Sequence, residues 1–344
     1  MLFSNNLIIE KGAINSVEKI LNNNLIKTDK ILYVSDSVVD ELFGVCVKNQ
    51  LKSICQIEID IIDNNTISYA LALAEKIIDV DINCVVGLGG GKVLDVCKYA
   101  AYISKTPFLA IPTTAANDGL ISPISVLKNK NGKPKSLGAS MPTMALIDIE
   151  VIANGPIQNI KAGIGDTISN YMALIDWKLA SAKGKDSING YAFMMSKNAL
   201  DLLMNTQFER ICPHFIESLV NSLVLSGIAM DFAKSSRPVS GSEHCFSHAL
   251  DYYCKKQNLH GIQVALGTIV MLKAIGKDYS ELLAYLKKFD VDINPSHLGI
   301  DEETFVTCMQ KAPSMRKGRY TYLDEIDLSD NKIRVLYREL VEEL

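Results

Sequence analysis

The sequence lacks the features that mark several protein classes. It has only one Trp. It also has no run of about 18 apolar residues, so no membrane span is predicted. Its 35 basic and 39 acidic residues give a net charge of −4, which excludes a strongly basic nucleic-acid-binding protein. The first residues carry neither a basic region nor a small-residue cleavage site, so no signal peptide is predicted.

Paired cysteines are also missing. The eight cysteines lie singly and form no CxxC motif, which is typical of reduced thiols in a cytoplasmic protein. What is present is an ordinary globular composition, with 48% hydrophobic and 22% charged residues. A length of 344 residues, at roughly 100–200 residues per domain, predicts two domains.

Residues 1–155 alternate between short β-rich runs and segments of helical periodicity. Because parallel strands need crossover helices, this alternation predicts a Rossmann-like parallel α/β domain. A turn-rich basic stretch at 128–135 predicts an exposed hairpin. The predicted strands are 31–34, 54–59, 84–88 and 108–111, and the predicted helices are 68–78 and 93–102.

Beyond Asn154-Gly155-Pro156, strand-like runs become scarce and long amphipathic segments dominate. We therefore predict a second, all-α domain over residues 156–344. Its predicted helices are 165–183, 191–204, 215–233, 242–254 and 261–275.

A glycine-rich turn, residues 87–92, follows the third predicted strand and opens a helix that contains Asp95. Glycines let the backbone approach a pyrophosphate, and the N–H groups at a helix start favour anions. The turn matches neither GxGxxG nor the P-loop, so a plain tight turn is an equal alternative. The next strand ends in a polar loop, residues 113–119. Because ligands bind at the carboxyl edge of such sheets, the two loops together favour a nucleotide site.

Three of the five histidines, His244, His248 and His260, fall within 17 residues. His244 and His248 lie four apart and would share one helix face. Asp166 is an acidic residue within an apolar, glycine-containing stretch. Two imidazoles and a carboxylate would leave an open position on a catalytic metal ion. The spacing alone does not choose the ligands, and hydrogen-bonded core histidines with Asp166 as a helix cap are the alternative.

These motifs, in this order, resemble the iron-containing alcohol dehydrogenase and dehydroquinate synthase superfamily, and within it the glycerol-1-phosphate dehydrogenase branch. The Arg-Pro-x-Ser-Gly-Ser-Glu-His run is the feature most specific to that branch. The resemblance is carried by residues 89–96, 112–119, 162–166, 237–251 and 260–268, with further likeness at 176–180 and 319–321.

The resemblance implies hydride transfer between NAD or NADP and a small phosphorylated substrate, dihydroxyacetone phosphate or sn-glycerol 1-phosphate. It implies a divalent metal, zinc in the first place with nickel or iron as alternatives, held by Asp166, His244 and His260. His248 would relay a proton, and Asp118 would contact substrate hydroxyls. The family also implies a homodimer or larger homo-oligomer and a use of the product in phospholipid synthesis.

The resemblance also assigns the cofactor site. A pyrophosphate would lie on the glycine turn and a nicotinamide beside the polar loop, while Asp36 would accept from the ribose or simply cap a helix. The cofactor-binding residues predicted in this way are Asp36, Gly89, Gly90, Gly91, Lys92, Asp95, Thr113, Thr114 and Ser122.

The substrate phosphate needs cationic partners, for which Arg237 is the first candidate and Lys133 the second. An exposed ion pair at a helix end is the structural alternative for Arg237. Ile262 departs from the family, which has a carboxylate there to orient a metal-binding imidazole. A glycerol-type polyol dehydrogenase, a dehydroquinate synthase-like sugar-phosphate cyclase and a non-catalytic cofactor-binding module remain as alternative functions.

Overall fold

The chain divides into two compact units. The computed structural model describes residues 6–24, 29–205 and 207–344. The first unit, called here the α/β unit, comprises Met1–Ala115 and Gly119–Pro156. The second, called the helical unit, comprises Ala116–Asp118 and Ile157–Leu344. A short piece of the polar loop that includes Asp118 therefore packs with the helical unit.

The α/β unit is built on a parallel six-stranded sheet of order β1-β8-β5-β4-β2-β3. A separate antiparallel hairpin, β6-β7, confirms the one predicted around residues 128–135, and Gly132 supplies the positive φ that its turn requires. The strands are β1 Leu7–Glu10, β2 Lys30–Ser35, β3 Gln56–Ile61, β4 Cys84–Gly89, β5 Phe108–Pro112, β6 Ile124–Lys128, β7 Pro134–Gly138 and β8 Met144–Asp148.

Helices cover both faces of this sheet, because alternate side chains of each central strand point to opposite sides. In β2, Ile31 and Tyr33 pack with α1 and α3, whereas Leu32 and Val34 pack with α4 and α5. The predicted parallel α/β architecture is confirmed. Its helices are α1 Val17–Asn23, α2 Ser37–Val39, α3 Val45–Lys52, α4 Ile67–Asp79, α5 Gly91–Ser104 and α6 Ile149–Ala153.

The second unit is helical, as predicted. The five predicted helices are present as α7 to α11, and α7 starts eight residues before its predicted start at 165. Three later helices, α12 to α14, were not predicted. The helices are α7 Ile157–Ala182, α8 Gly190–Met204, α9 Pro213–Ala233, α10 Ser242–Tyr253, α11 His260–Ala274, α12 Ser280–Lys288, α13 Glu302–Met315 and α14 Asp330–Glu343.

Helix α9 is long and apolar enough to cross a membrane by length and composition alone. In the structure 61% of its apolar window is buried. Phe215, Leu219 and Leu223 are completely inaccessible to solvent. Packing inside the helical unit therefore accounts for the apolar composition of this helix.

Asp148 joins the end of the sheet to two other segments of the α/β unit. Its carboxylate caps α6 by accepting from the Glu150 N–H at 2.9 Å. It also accepts from the Gly12 and Ile14 N–H groups at 3.1 and 3.0 Å. The side chain is 2% exposed, so no solvent would replace these bonds if the carboxylate were removed.

We expect Asp148→Ala to lower the free energy of unfolding by about 3 kcal/mol, because several buried N–H groups lose a charged acceptor. Urea unfolding followed by circular dichroism measures the change. Glu150→Ala is the matched control, since this exposed carboxylate forms only a surface ion pair with Lys11. Equal destabilisation by the two substitutions would contradict the prediction.

Candidate metal centre

Asp166 lies in the middle of α7 and is only 5% exposed. Its Oδ2 accepts the backbone N–H of Asp118 at 2.9 Å, and its Oδ1 lies 3.8 Å from the His260 Nε2. Burial first, and then the nearby Asp118 charge, raise the pKa of Asp166 well above its usual value. A cation bound next to this buried side chain would strongly favour its ionised, carboxylate form.

Two helix starts bring the imidazoles to the same point. His244 is in the first turn of α10, and His260 is the first residue of α11. Their Nε2 atoms are 3.2 Å apart. One ligand atom from each of Asp166, His244 and His260 lies within 4.8 Å of the other two. The structure thus brings together the three residues predicted as metal ligands.

The Nδ1 atoms of both imidazole rings contact other side chains. The His244 Nδ1 lies 2.8 Å from the Glu243 carboxylate. The His260 Nδ1 lies 3.3 Å from the Ser247 hydroxyl, which in turn donates to Gln263 at 2.7 Å. Such contacts keep the Nε2 atoms turned toward a metal. The chain has Ile262 where the family has a carboxylate that would orient a metal-binding imidazole. Here Ser247 contacts the His260 ring instead.

Both imidazoles are held in the neutral form that binds metal. Burial, followed by the positive charges of Arg316 and Arg319, lowers the pKa of His244 well below its usual value. Burial, followed by the charge of His244, lowers the pKa of His260 to about 3. The donor set of two neutral imidazoles and one carboxylate fits a divalent cation such as Zn²⁺ and leaves a coordination position open.

Glycines decide how closely the helices that carry the ligands approach. A Cβ on Gly261 would lie 1.8 Å from the Ala162 carbonyl oxygen, and one on Gly165 would lie 2.3 Å from the Gly261 carbonyl oxygen. Only glycine therefore lets the backbones of α7 and α11 touch here. Because Asp166 and His260 are the chain neighbours of these glycines, the same contact brings the two ligands together.

His248 is not one of the three residues whose ligand atoms converge. Its ring centroid lies 6.4 Å from those of both His244 and His260. Burial, followed by the Arg316 charge and the other two histidines, lowers its pKa well below the usual value. His248 thus stands beside the cluster as a neutral imidazole.

The two loops predicted to bind a cofactor meet within the α/β unit. The Thr113 N–H donates to the Gly89 carbonyl at 3.1 Å, and a Cβ on Gly90 would lie 3.6 Å from the Thr114 hydroxyl. No described atom lies within 4 Å of a Cβ built on Gly91. The start of α5 therefore has open space beside Gly91, and the backbone N–H groups of a helix start favour an anion.

Two of the remaining predicted cofactor residues, Asp36 and Asp95, have contacts within the α/β unit. The Asp36 carboxylate caps α2 by accepting from the N–H groups of Val38 and Val39 at 3.1 and 3.0 Å, which is the alternative role considered for it. Asp95 lies within α5, 3.9 Å from the Lys98 ammonium. Lys92 is exposed at the start of the same helix, and Ser122 is buried at 1% exposure. A direct cofactor contact of these residues stays a prediction.

The two predicted phosphate ligands lie in different settings. Lys133 follows Gly132 in the hairpin turn, where its N–H donates to the Asn129 side chain at 3.1 Å. The Arg237 guanidinium is 5% exposed, with its Nε 2.7 Å from the Asp186 carboxylate. It also donates to the Tyr320 carbonyl at 2.8 Å. The arginine of this pair is buried while the Asp186 side chain is 33% exposed, so the pair is half-buried and not the fully exposed one that the structural alternative assumed.

Sequence reasoning missed Glu243, Ser247, Arg316 and Arg319. Glu243 and Ser247 lie inside the motif that carries His244, and an acidic neighbour of a metal ligand is the signal that could have identified Glu243. The two arginines lie more than 70 positions beyond His244 in the sequence, so no local pattern connects them with it.

Comparisons with known proteins identify relatives of this chain. Residues 8–156 match the family model described as iron-containing alcohol dehydrogenase. A glycerol-1-phosphate dehydrogenase [NAD(P)+] from Hyperthermus butylicus is 32% identical, over 94% of this chain and 93% of that protein. The protein of the same name from Methanosarcina barkeri is 33% identical, over 94% and 91%. This chain belongs to the glycerol-1-phosphate dehydrogenase family.

The fold of this family member is shared with a solved structure of lower sequence similarity. Glycerol dehydrogenase from Schizosaccharomyces pombe superimposes with a TM-score of 0.79 at 18% identity, covering 98% of this chain and 88% of that one. The likeness places the chain in the iron-containing alcohol dehydrogenase and dehydroquinate synthase-like fold.

We expect His244→Ala and His260→Ala to lower the affinity for Zn²⁺ at least about 100-fold, because each removes one of three protein ligands. Metal content after dialysis, determined by elemental analysis, measures the loss, and NAD(P)H binding should be unchanged. His214→Ala is the control, since that side chain is 83% exposed. Full metal retention by either ligand variant would contradict the assignment.

Gly261→Ala should abolish metal binding although it changes no ligand. The added methyl group cannot fit against the Ala162 carbonyl, so α7 and α11 must separate. Gly190→Ala, at the start of α8, is the matched control, because no described atom lies within 4 Å of the added Cβ. Zinc content and the thermal unfolding midpoint measure the effect. A zinc-replete Gly261→Ala protein would show that the helix contact does not set the site.

Proposed function

We propose that this protein is a metal-dependent, NAD(P)-linked dehydrogenase that interconverts dihydroxyacetone phosphate and sn-glycerol 1-phosphate. The observation that carries the proposal is the convergence of the buried Asp166 and His244 with the half-buried His260. It occurs in a chain that aligns over 94% of its length with glycerol-1-phosphate dehydrogenases. The redox cofactor is NAD or NADP, as the names of those relatives state.

Asp166, His244 and His260 would hold the metal ion, for which zinc is the first candidate and nickel or iron are the alternatives. The bound ion would supply Lewis-acid stabilisation of negative charge on the substrate oxygen. The chain's own contribution is to present two neutral imidazoles and one buried carboxylate without rearrangement. Glu243 and Ser247 support this arrangement through their contacts with the Nδ1 atoms of the two rings.

A bound nicotinamide would supply the hydride for reduction of the substrate carbonyl, and the carbonyl oxygen would then need a proton from the protein. We propose His248 as the relay for that proton, because a neutral imidazole can accept and return it at a ring nitrogen. Asp118, whose backbone N–H holds Asp166, is the proposed contact for a substrate hydroxyl.

In the α/β unit, the proposed pyrophosphate site is the turn formed by Gly89, Gly90, Gly91 and Lys92. Thr113, Thr114 and Ser122 are proposed to flank the nicotinamide, and Asp36 and Asp95 to belong to the same site. The meeting of the glycine turn with Thr113 and Thr114 supports this assignment. Lys133 stays a proposed partner of the substrate phosphate, whereas Arg237, already paired with Asp186, is proposed to act on that phosphate only through its neighbours.

A cytoplasmic location is proposed from the thiols, since all eight cysteines, every one of them described by the structure, are free. A homodimer or larger homo-oligomer and a use of the product in phospholipid synthesis are proposed from the family resemblance.

The proposal predicts that the zinc-loaded protein oxidises NADH or NADPH in the presence of dihydroxyacetone phosphate. We expect kcat/KM for this substrate to exceed that for dihydroxyacetone by at least about 100-fold, because the phosphate provides binding energy. A chelator should abolish the activity, and added Zn²⁺ should restore it.

The same assay separates the other functions. Equal rates with dihydroxyacetone or glycerol would identify a polyol dehydrogenase. Phosphate release from a sugar phosphate without net change in the nicotinamide would identify a cyclase. A protein that binds NAD(P)H and metal but turns over none of these compounds would contradict the proposal.

A further inference from the structure

Two arginines of the helical unit converge on one short segment between α9 and α10. Arg316 follows the last residue of α13, and its Nη1 donates to the hydroxyls of Ser236 and Ser240 at 2.6 and 3.2 Å. Arg319 donates to the Ser236 hydroxyl at 2.9 Å and to the Ser240 carbonyl. Gly318, at φ 78°, makes the tight turn that places both arginines on the same serines.

These two guanidiniums are not neutralised as Arg237 is. Arg237 has the Asp186 carboxylate at 2.7 Å. In the part of the chain that the structure describes, no carboxylate lies within ion-pair distance of Arg316 or Arg319. The Glu243 charge acts on both arginines, but its Oε1 accepts from the Gly241 N–H and contacts the His244 ring, and its Oε2 has no hydrogen-bond partner among the described residues.

Two like charges held side by side in a half-buried position are costly without a counter-ion. The cost is reflected in Arg319, whose pKa is lowered to about 9 by burial and by the charges of Arg316 and Arg237. The hydrogen bonds to serine hydroxyls and a carbonyl are with neutral groups and bring no negative charge. The two arginines therefore favour the binding of an anion from outside the chain.

The arginines also border an open cavity of about 490 Å³. Its lining includes Ser235, Ser236, Arg237, Arg316 and Arg319, so it offers both guanidinium and hydroxyl donors. This combination matches the oxygens of a phosphate group, which accept several N–H and O–H donors at once.

The segment that lines the cavity leads along the chain into α10, the helix that carries His244. Ser240, which both arginines contact, stands four residues before His244, just ahead of α10. The Arg316 charge acts on all three histidines of the cluster, so this guanidinium lies within electrostatic reach of the metal site.

We infer that Arg316 and Arg319, with the Ser236 hydroxyl, form the site that recognises the phosphate monoester end of the substrate. Arg237 is then a positioning residue: neutralised by Asp186, it holds the Tyr320 carbonyl next to Arg319. The inference rests on the proposed function for the identity of the phosphate ester, but the anion site itself can be tested separately.

The kinetic test uses Arg316→Gln and Arg319→Gln in the zinc-loaded protein. We expect KM for dihydroxyacetone phosphate to rise about 10- to 100-fold in each, because one charged donor pair to the phosphate is lost. KM for NAD(P)H should stay within about twofold, and kcat/KM for dihydroxyacetone should fall at least about fivefold less than kcat/KM for dihydroxyacetone phosphate. Arg338→Gln is the matched control, an arginine that is 65% exposed and paired with Glu302. Equal losses on the phosphorylated and unphosphorylated substrates would overturn the inference.

A second measurement needs no variant and so does not depend on their folding. Phenylglyoxal modifies accessible arginines, and mass spectrometry of peptides reports each position. We expect millimolar inorganic phosphate to slow modification of Arg316 and Arg319 in the wild-type protein but not that of Arg338. Unchanged rates at the first two positions would overturn the inference.

The two proposals fail in different ways. If the wild-type protein reduces dihydroxyacetone phosphate but phosphate does not protect Arg316 and Arg319, the enzyme function stands and this site is wrong. If phosphate protects both arginines but no metal or nicotinamide supports reduction, the anion site stands and the proposed dehydrogenase function is wrong.

Discussion

The contact between the backbones of α7 and α11 is the constraint on which the candidate site depends. At Gly165 and Gly261 any side chain would overlap a main-chain oxygen of the opposite helix. Two helices that touch in this way cannot slide or rotate without losing the fit, since packed interiors hold one arrangement. Asp166 and His260 lie next to these glycines, so the same contact fixes their positions. A pair of loops would not fix them in this way.

A second contact of the same kind adds α10. A Cβ on Gly267 would lie 2.7 Å from the Glu243 carbonyl oxygen, so α10 approaches α11 closely enough for His244 to meet His260. Charges of both signs act on the N-terminal turn of α10. Burial raises the pKa of Glu243 to about 7, while Arg316 and Arg319 meet at the preceding serines. A bound cation on one side and an anion on the other would balance both sets of charges.

Much of the fold could be predicted because the signals are local. The apolar run of β4 followed by glycines, and the amphipathic period of α4, identify their own secondary structure. Strands β1 and β8 were missed; they pair with each other from opposite ends of the α/β unit, and no local pattern reports such a pairing. Helix α12 has only nine residues, and α13 and α14 are rich in polar and charged residues, so the apolar pattern of the earlier helices does not mark them. The histidine spacing indicated a metal site, but the ligand set came from the family resemblance.

By itself the sequence determined the order of the elements, the two-unit architecture and the residue types available for chemistry. These follow from patterns within a few residues of one another, where backbone geometry dictates which side chains share a face. Only the tertiary structure decided that Ser247 lies against the His260 ring and that Asp186 balances Arg237, while no carboxylate of the described residues lies within ion-pair distance of Arg316 or Arg319. Those contacts join residues 13 to more than 80 positions apart, and helix packing, not local preference, sets their distances.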